Sequence, residues 1–459
     1  MLKNSINQSV DDTCNYTDDV TDSLPLINDE QDVQFLGAPI KVLPDGHLTI
    51  YSAVFLIANG ALGVGMLNFP QAYLAAGGVK VALAVQSTLL VFIIGAFLIL
   101  AYCADHSQAQ TYQNVILFML GQRAQIISQI VICIYFFGSC ITYIIVIGEQ
   151  LSSVICFACN CHKNPYTDKR FLFAIFGVFL LLPLCLQRRL KILAYTSFFG
   201  GFGAVFIASV VVYRYFVGSN GYPANYHYKE PGHADWKSAF ASLPVICFGF
   251  QCHVSSVPVY ADLKNRSLKK FFVSSLLAMV VCAGAYTLVG AFGYKTFGSN
   301  TKPDILENYD SSDHLVIAAR VAIVLILWTS FAICTFVART VIDGIFLTLF
   351  NKTENEAEEA EQLRRYVQTI VWFILVLFLA AVVPNISVAI DFIGGIAAMF
   401  IFIFPGFCLL QTVNLKKASF QRQDIVVIIV SFIYLILGTF IFGQVTALAF
   451  KTHIFKHKT

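Results

Sequence analysis

Long apolar segments recur along most of this chain, and they constrain its fold more than any other feature. A membrane-spanning helix needs about 20 mostly apolar residues. Eleven segments meet that test: 51–75, 81–103, 124–158, 171–186, 190–215, 239–261, 271–294, 314–350, 366–383, 387–413 and 425–450. Hydrophobic residues make up 57% of the chain and charged residues only 12%, which leaves too little polar sequence to cover a soluble fold. The sequence therefore predicts an all-α polytopic membrane protein.

The ends of the chain differ from this apolar body. Residues 1–48 are polar and acidic, which predicts a disordered cytosolic tail before a transmembrane domain at 49–450 and a short tail at 451–459. Placing the N-terminus in the cytosol puts the loops richer in Lys and Arg on the cytosolic side. The net charge of +3 is small and its basic residues are scattered, so nothing indicates nucleic acid as a partner.

Glycine and proline interrupt two of the predicted spans near their middle. Span one contains Asn-Gly-Ala-Leu-Gly-Val-Gly at 59–65, followed by Pro70. Span six contains Phe-Gly-Phe-Gln-Cys-His at 248–253, between Pro244 and Pro258. Interrupted spans in corresponding positions of two halves are a sequence sign of a transporter binding site.

The two interruptions correspond if the chain contains two five-span repeats. Repeat one would cover about 51–217 and repeat two about 239–413, with an extra helix at 425–450. An odd number of spans per repeat makes the two repeats inverted. Glycines at Gly60 and Gly63 are also typical of a helix-packing face, but packing alone does not explain matching interruptions in both halves.

An unwound helix in a membrane exposes N–H and C=O groups that hydrocarbon cannot satisfy. The N–H groups at the start of a half-helix favour a carboxylate, and freed carbonyls favour a cation or an ammonium group. Because an amino acid carries both charges, paired breaks of this kind predict an amino acid site.

Several motifs resemble one family. The stretch Val54–Pro70 and the run Phe248–Pro258 resemble the first and sixth spans of the amino acid/auxin permease family, in its sodium-coupled neutral amino acid transporter branch. Segments 135–150, 440–444 and 166–168 are further matches, to the third span, the last span and an outer loop. Within that branch the chain is most similar to a lysosomal transporter of glutamine and asparagine.

The resemblance implies a LeuT-type fold of two inverted five-helix repeats plus an eleventh helix. It also implies that Gly63, Val64 and Gly65 present backbone groups to the substrate carboxylate. The pocket would be lined by side chains and backbone of Tyr135, Phe248, Gly249, Phe250 and Gln251.

A sodium ion is expected between spans one and eight. The resemblance implies the ligands Ala58, Asn59, Ala61, Thr329 and Ser330. Thr329 and Ser330 are adjacent hydroxyls at the centre of an apolar helix, and uncharged oxygens suit a monovalent cation. Such hydroxyls also bond back to their own helix, and the sequence leaves both interpretations open. No other cofactor is expected.

Ionisable residues inside a membrane are functional candidates. His253 either senses luminal acidity or is a neutral side chain that fixes the unwound backbone. Asp391, where relatives carry a small polar residue, either binds a cation or pairs with a nearby donor. Glu149 and Arg320 lie near the outer surface, where they either gate the site or extend to the interface.

Cys156, Cys159 and Cys161 cluster near a loop and either pack there or form one disulfide. No clustered catalytic dyad or metal-ligand set indicates an enzyme. In the N-terminal tail, Asp22 with Leu26 and Ile27 matches an acidic dileucine sorting signal. This signal, read by a sorting adaptor, favours the lysosomal membrane over the plasma membrane.

The sequence thus predicts a sodium-coupled symporter of small neutral amino acids that works by alternating access, carrying glutamine or asparagine from lysosome to cytosol. A proton-coupled transporter and an amino acid sensor with little flux are the alternatives.

Overall fold

The computed structural model describes residues 46–159, 168–186, 191–219, 222–224, 236–350, 361–416 and 421–455. Within these ranges the chain is helical, and its extended pairing is limited to isolated bridges. The predicted sorting residues Asp22, Leu26 and Ile27 lie outside the described residues, as does Cys161. Cys156 and Cys159 are free thiols, so the structure does not join them to each other.

Ten of the eleven predicted spans are long and apolar enough in the described residues to cross a membrane, if the bent pair that forms span one counts as one. Spans one and six each consist of two helices, Ile50–Ala61 with Gly65–Ala75 and Leu243–Phe250 with His253–Ala261. Span two is Val79–Ser107, span three Gln122–Cys159, span five Lys191–Val217 and span seven Leu268–Phe297. Span eight is His314–Leu349, span nine Glu361–Val382, span ten Ile386–Ala398 continuing into Phe404–Asn414, and span eleven Arg422–Phe450.

Span four is the exception. It is helical over Lys169–Phe176 and Leu182–Cys185, with a wider π-turn at Gly177–Leu181 between them, and it is too short to count as a full span. Pro183 has no N–H to donate to the preceding turn, which accounts for an irregular helix here. The eleven-span prediction holds in element order, with one span reduced.

Side chains placed just before the helices fix where several of them begin. Asp168, Ser267 and Asp313 each accept a hydrogen bond from a backbone N–H in the first turn that follows. These contacts satisfy donors that a helix start otherwise leaves free. Gly77 and Gly78, both with positive φ, make the turn between spans one and two that a side chain would strain.

The centre of the bundle is formed by the broken spans and their neighbours. The most apolar window of span six is 78% buried and that of span ten 72%. The corresponding windows of spans nine and eleven are 28% and 22% buried, so these two lie at the periphery. Spans three and eight, the third members of the two repeats, pack along each other.

Candidate substrate and ion site

Span one is broken where the glycines predict it. Its first half, predicted to be the inner one, ends at Ala61. Its second half, predicted to be the outer one, begins at Gly65, and the two are bent by 62°. Leu62 between them is extended, with φ −66° and ψ 111°. None of the hydrogen bonds among the described residues uses the N–H of Gly63 or Val64, and Gly65 opens the outer half. Three amides are therefore available to an anion at the start of a half-helix.

Span six is broken at Gln251 and Cys252. Gln251 is extended, with φ −77° and ψ 105°, and His253 begins the second half. The side chain of Gln251 is 7% exposed, yet its Nε2 group has no hydrogen-bond partner among the described residues. A buried amide donor without a partner is costly unless a ligand satisfies it.

The two breaks touch each other through glycine. A Cβ atom added to Gly65 would lie 3.1 Å from the Cα of Gly249, and one added to Gly60 would lie 3.4 Å from the Cβ of Cys252. The packing and the unwinding interpretations of these glycines both apply, because the absence of side chains lets the breaks approach. The two unwound segments therefore lie directly beside each other.

The predicted pocket side chains divide into two groups. Tyr135 of span three lies near Phe248 of span six, with ring centroids 6.2 Å apart, and against Phe400 of span ten at 5.6 Å. Phe250 instead packs against Phe69 and Tyr286. The structure therefore brings Tyr135 and Phe248 together and directs Phe250 toward span seven.

The predicted sodium ligands are less completely assembled. The Ala58 carbonyl accepts from the Leu62 N–H at 2.8 Å, and the Ala61 carbonyl accepts from a tyrosine hydroxyl. A carbonyl oxygen has two lone pairs. The Ala61 carbonyl therefore retains one for a cation, whereas the Ala58 carbonyl also accepts from the Cys282 thiol at 3.7 Å. The Oδ1 of Asn59 would lie 2.6 Å from a Cβ added to Gly200 in span five.

The hydroxyls of span eight behave as the alternative interpretation expects. Thr329 donates to the Ile326 carbonyl of its own helix at 2.9 Å. Ser330 is half-buried, and none of the described hydrogen bonds joins it to span one. The sodium set of spans one and eight stays a prediction.

His253 and Asp391 are both fastened within the bundle. The Nε2 of His253, which is fully buried, lies 3.2 Å from the Ile93 carbonyl of span two. The imidazole stacks on Phe97 at 4.1 Å. Because a carbonyl only accepts, Nε2 carries the proton. Asp391 pairs with His453 at 2.7 Å, which corresponds to the predicted interaction with a nearby donor.

Hydrogen bonds that the sequence did not indicate form an outer cluster at the predicted outer end of the site. Asn68 of span one donates to the Pro303 carbonyl at 2.7 Å and to the Ser387 hydroxyl at 3.0 Å. Gln150 donates to Asp304 at 2.6 Å. These bonds join spans one, three and ten to the connection between spans seven and eight.

Charged groups complete this outer cluster. Arg320 is 2% exposed and donates to the Leu306 carbonyl at 2.9 Å, so it does not extend to the interface. Glu149 pairs with Lys169 at 2.9 Å. Asp304 lies in the connection between spans seven and eight, and burial raises its pKa to about 8, with the charges of Glu149 and Glu307 adding to the effect.

Two inverted repeats with paired mid-membrane breaks are the arrangement of a transporter of the LeuT-type fold. The family model described as transmembrane amino acid transporter protein matches residues 46–446. The chain therefore belongs to the transmembrane amino acid transporter family.

Similar proteins agree with this assignment. The sodium-coupled neutral amino acid transporter 7 of Xenopus laevis is 38% identical over 403 residues, covering 86% of this chain and 88% of the relative. The human transporter of the same name is 37% identical over 411 residues, covering 88% of each. Among solved structures, MhsT in complex with L-phenylalanine superposes with a TM-score of 0.52 at 15% identity, over 86% of this chain and 98% of that one. That likeness concerns the fold.

Proposed function

We propose that this protein is a sodium-coupled symporter of small neutral amino acids, with glutamine and asparagine as favoured substrates, that works from the lysosomal lumen to the cytosol. The observation that carries this proposal is the pair of breaks in contact with each other. At these breaks lie the free amides of Gly63 and Val64 and the carbonyls of Ala61 and Gly249. The names of the relatives, which specify sodium and neutral amino acids, support the same proposal.

The side-chain preference rests on Gln251. Its buried Nε2 group without a partner offers a donor to the side-chain carbonyl of glutamine or asparagine. The residues predicted to line the pocket carry no cationic group, so an acidic side chain would be buried without a counter-charge. A substrate with a polar, uncharged side chain therefore suits these predicted lining residues.

Alternating access is supported by an asymmetry in span one. Eight of the eleven residues in its outer half are buried, against four of the twelve in its inner half. The outer half is bonded to its surroundings through Asn68. We take this arrangement as the one closed at the outer end. Sodium and substrate would bind when the outer cluster opens and leave when the inner half of span one moves.

Either a sodium or a proton gradient is large enough for this work. One charge crossing 100 mV contributes about 2.3 kcal/mol, and one pH unit contributes about 1.4 kcal/mol.

The test of the proposed function is uptake of labelled L-glutamine into vesicles containing the full chain, with the sodium gradient and the pH step imposed separately. We expect a sodium gradient at equal pH to drive uptake, with protein-free vesicles as the control.

Two outcomes of that experiment would replace the proposal. Uptake driven by a pH step alone would make the protein a proton-coupled transporter. Saturable binding of glutamine without net flux under any gradient would make it a sensor.

The lysosomal location rests on the dileucine signal at Asp22, Leu26 and Ile27. We expect Leu26→Ala together with Ile27→Ala to move at least half of the protein to the plasma membrane, because a sorting adaptor would no longer bind the tail. Surface biotinylation and co-localisation with a lysosomal marker measure this. An unchanged distribution would contradict both the signal and the adaptor.

A further inference from the structure

Tyr286, near the middle of span seven, connects the two breaks. Its hydroxyl oxygen lies 2.7 Å from the Ala61 carbonyl at the break of span one and 2.7 Å from the Gly249 carbonyl at the break of span six. The side chain is fully buried. Its ring stacks on Phe69 with centroids 4.3 Å apart and meets Phe250 edge-on at 4.9 Å, so the hydroxyl is held in place by packing on both sides.

The Tyr286 hydroxyl and the carbonyls of Ala61 and Gly249 together have too few protons for the hydrogen bonds between them. A tyrosine hydroxyl has one hydrogen to donate, and a carbonyl has none. The hydroxyl therefore satisfies either Ala61 or Gly249 at a given moment. Neither carbonyl accepts any other hydrogen bond among the described residues. One buried acceptor is left without a donor, and such a group is costly.

A ligand with N–H donors would remove this deficit. The oxygens are uncharged and buried, which favours a group with one positive charge. The free amides of Gly63 and Val64 begin two residues after Ala61 in the same break. A carboxylate held by these amides would place the ammonium of the same molecule beside the Ala61 carbonyl.

We propose that Tyr286 is the positioning residue for the substrate's α-ammonium group, through a hydroxyl whose single proton is shared between the two breaks. The ammonium donates to the carbonyl that the hydroxyl leaves free and to the hydroxyl oxygen itself. Binding then joins the two breaks through the substrate and Tyr286 together. This inference rests on the proposed function, and it adds a selection for ligands that carry an ammonium group.

The variant Tyr286→Phe tests this role because it removes the hydroxyl and keeps the ring against Phe69 and Phe250. Tyr434→Phe is the matched control. Its hydroxyl donates to the Phe92 carbonyl at the same 2.7 Å, in a buried side chain between spans eleven and two. Unfolding temperatures of both variants show whether the loss of one buried hydroxyl is tolerated equally.

The measurement is uptake of labelled L-glutamine into vesicles, with two competitors. Unlabelled L-glutamine carries the ammonium, and 4-carbamoylbutanoate has the same carboxylate and side chain without it. We expect Tyr286→Phe to raise the KM and the inhibitory concentration of L-glutamine about tenfold or more, the range for a hydrogen bond to a charged group. The inhibitory concentration of 4-carbamoylbutanoate should change less than threefold, so the preference for the amino compound falls. Tyr434→Phe should leave all three values within twofold.

The possible results separate this inference from the proposed function. An equal rise in the inhibitory concentrations of both competitors would overturn the role of Tyr286 while transport by the wild type stands. Equal KM and inhibitory concentrations in Tyr286→Phe and Tyr434→Phe would do the same. A shift in the half-saturating sodium concentration without a shift in the KM for glutamine would assign the cluster to sodium instead. Absence of uptake by the wild type would overturn both proposals.

If Tyr286→Phe does not fold, the unmodified protein still gives an answer. The unfolding temperature of the wild type should then rise at L-glutamine concentrations at least tenfold lower than the 4-carbamoylbutanoate concentrations that give the same rise. Equal stabilisation by the two compounds would overturn the inference.

Discussion

Asp304 is a single buried carboxyl group in the outer cluster. It is 1% exposed and accepts from Gln150 at 2.6 Å and from the Leu306 N–H at 2.9 Å. Its pKa of about 8, raised from the ordinary 3.8 by burial and then by Glu149 and Glu307, favours its protonated form at acidic pH. The facing cations Lys169 and Arg320 bond to Glu149 and to backbone carbonyls respectively. Acidity therefore stabilises the outer cluster as it is arranged in this structure.

The direction of the pH effect follows from the raised pKa. The closed, folded protein binds this proton more tightly than the opened or unfolded chain does. The stabilisation is complete below about pH 4 and is lost as the pH rises through about 8. Between these limits Asp304 alone contributes a change of about 1.4 kcal/mol per pH unit.

We expect Asp304→Asn to reduce the pH dependence of stability. The asparagine resembles the protonated acid, so its unfolding temperature should fall less than that of the wild type between about pH 5 and about pH 8.5. Scanning fluorimetry in detergent measures this. Asp168→Asn, an exposed outer-side cap that asparagine replaces equally well, is the control and should behave like the wild type. An equal fall in unfolding temperature with pH for Asp304→Asn and the wild type would contradict the raised pKa of Asp304.

At the scale of single elements, the two half-helix junctions depend on their close approach. The Cβ of an alanine at position 65 would lie 3.1 Å from the Cα of Gly249 and 3.4 Å from the Phe248 ring. Because backbone cannot rotate away as a side chain can, the halves must separate by a few tenths of an ångström. Overpacking of this kind costs about 1–3 kcal/mol.

We expect Gly65→Ala to lower the rate of amino acid uptake about tenfold at low substrate concentration, since the amides and carbonyls of the two breaks would no longer meet one ligand. Gly284→Ala in span seven is the matched control, because a Cβ there meets nothing within 4 Å. Uptake by both variants at equal protein amounts is the measurement. Equal rates in Gly65→Ala and Gly284→Ala would show that the contact is dispensable.

At the scale of the whole molecule, local sequence patterns predicted what local chemistry determines. The eleven apolar segments and both breaks were predictable because glycine, proline and apolar runs act on their own neighbourhood. Span four was predicted as one continuous span at 171–186, and Pro183 explains why it is irregular. Thr329 shows the limit of such patterns, since its hydroxyl bonds to its own helix and the sequence alone did not decide this.

The groups that connect distant spans were not predictable in this way. Tyr286 lies 225 residues from Ala61 along the chain, and Asp304 lies 154 residues from Gln150. Nothing in a local run of residues indicates such partners. Gln150 was noticed only as part of a family-like motif, and its bond to Asp304 required the packed bundle.

The chain just before span one is bonded to the chain just after span six. The Leu48 N–H donates to the Asp262 carbonyl at 2.8 Å, and the Lys264 N–H donates to the Leu48 carbonyl at 2.9 Å. The start of helix Ile50–Ala61 and the end of helix His253–Ala261 are thereby fastened to each other. Neither can swing outward alone without breaking two peptide hydrogen bonds. The two half-helices are therefore coupled, and a displacement of one would be transmitted to the other.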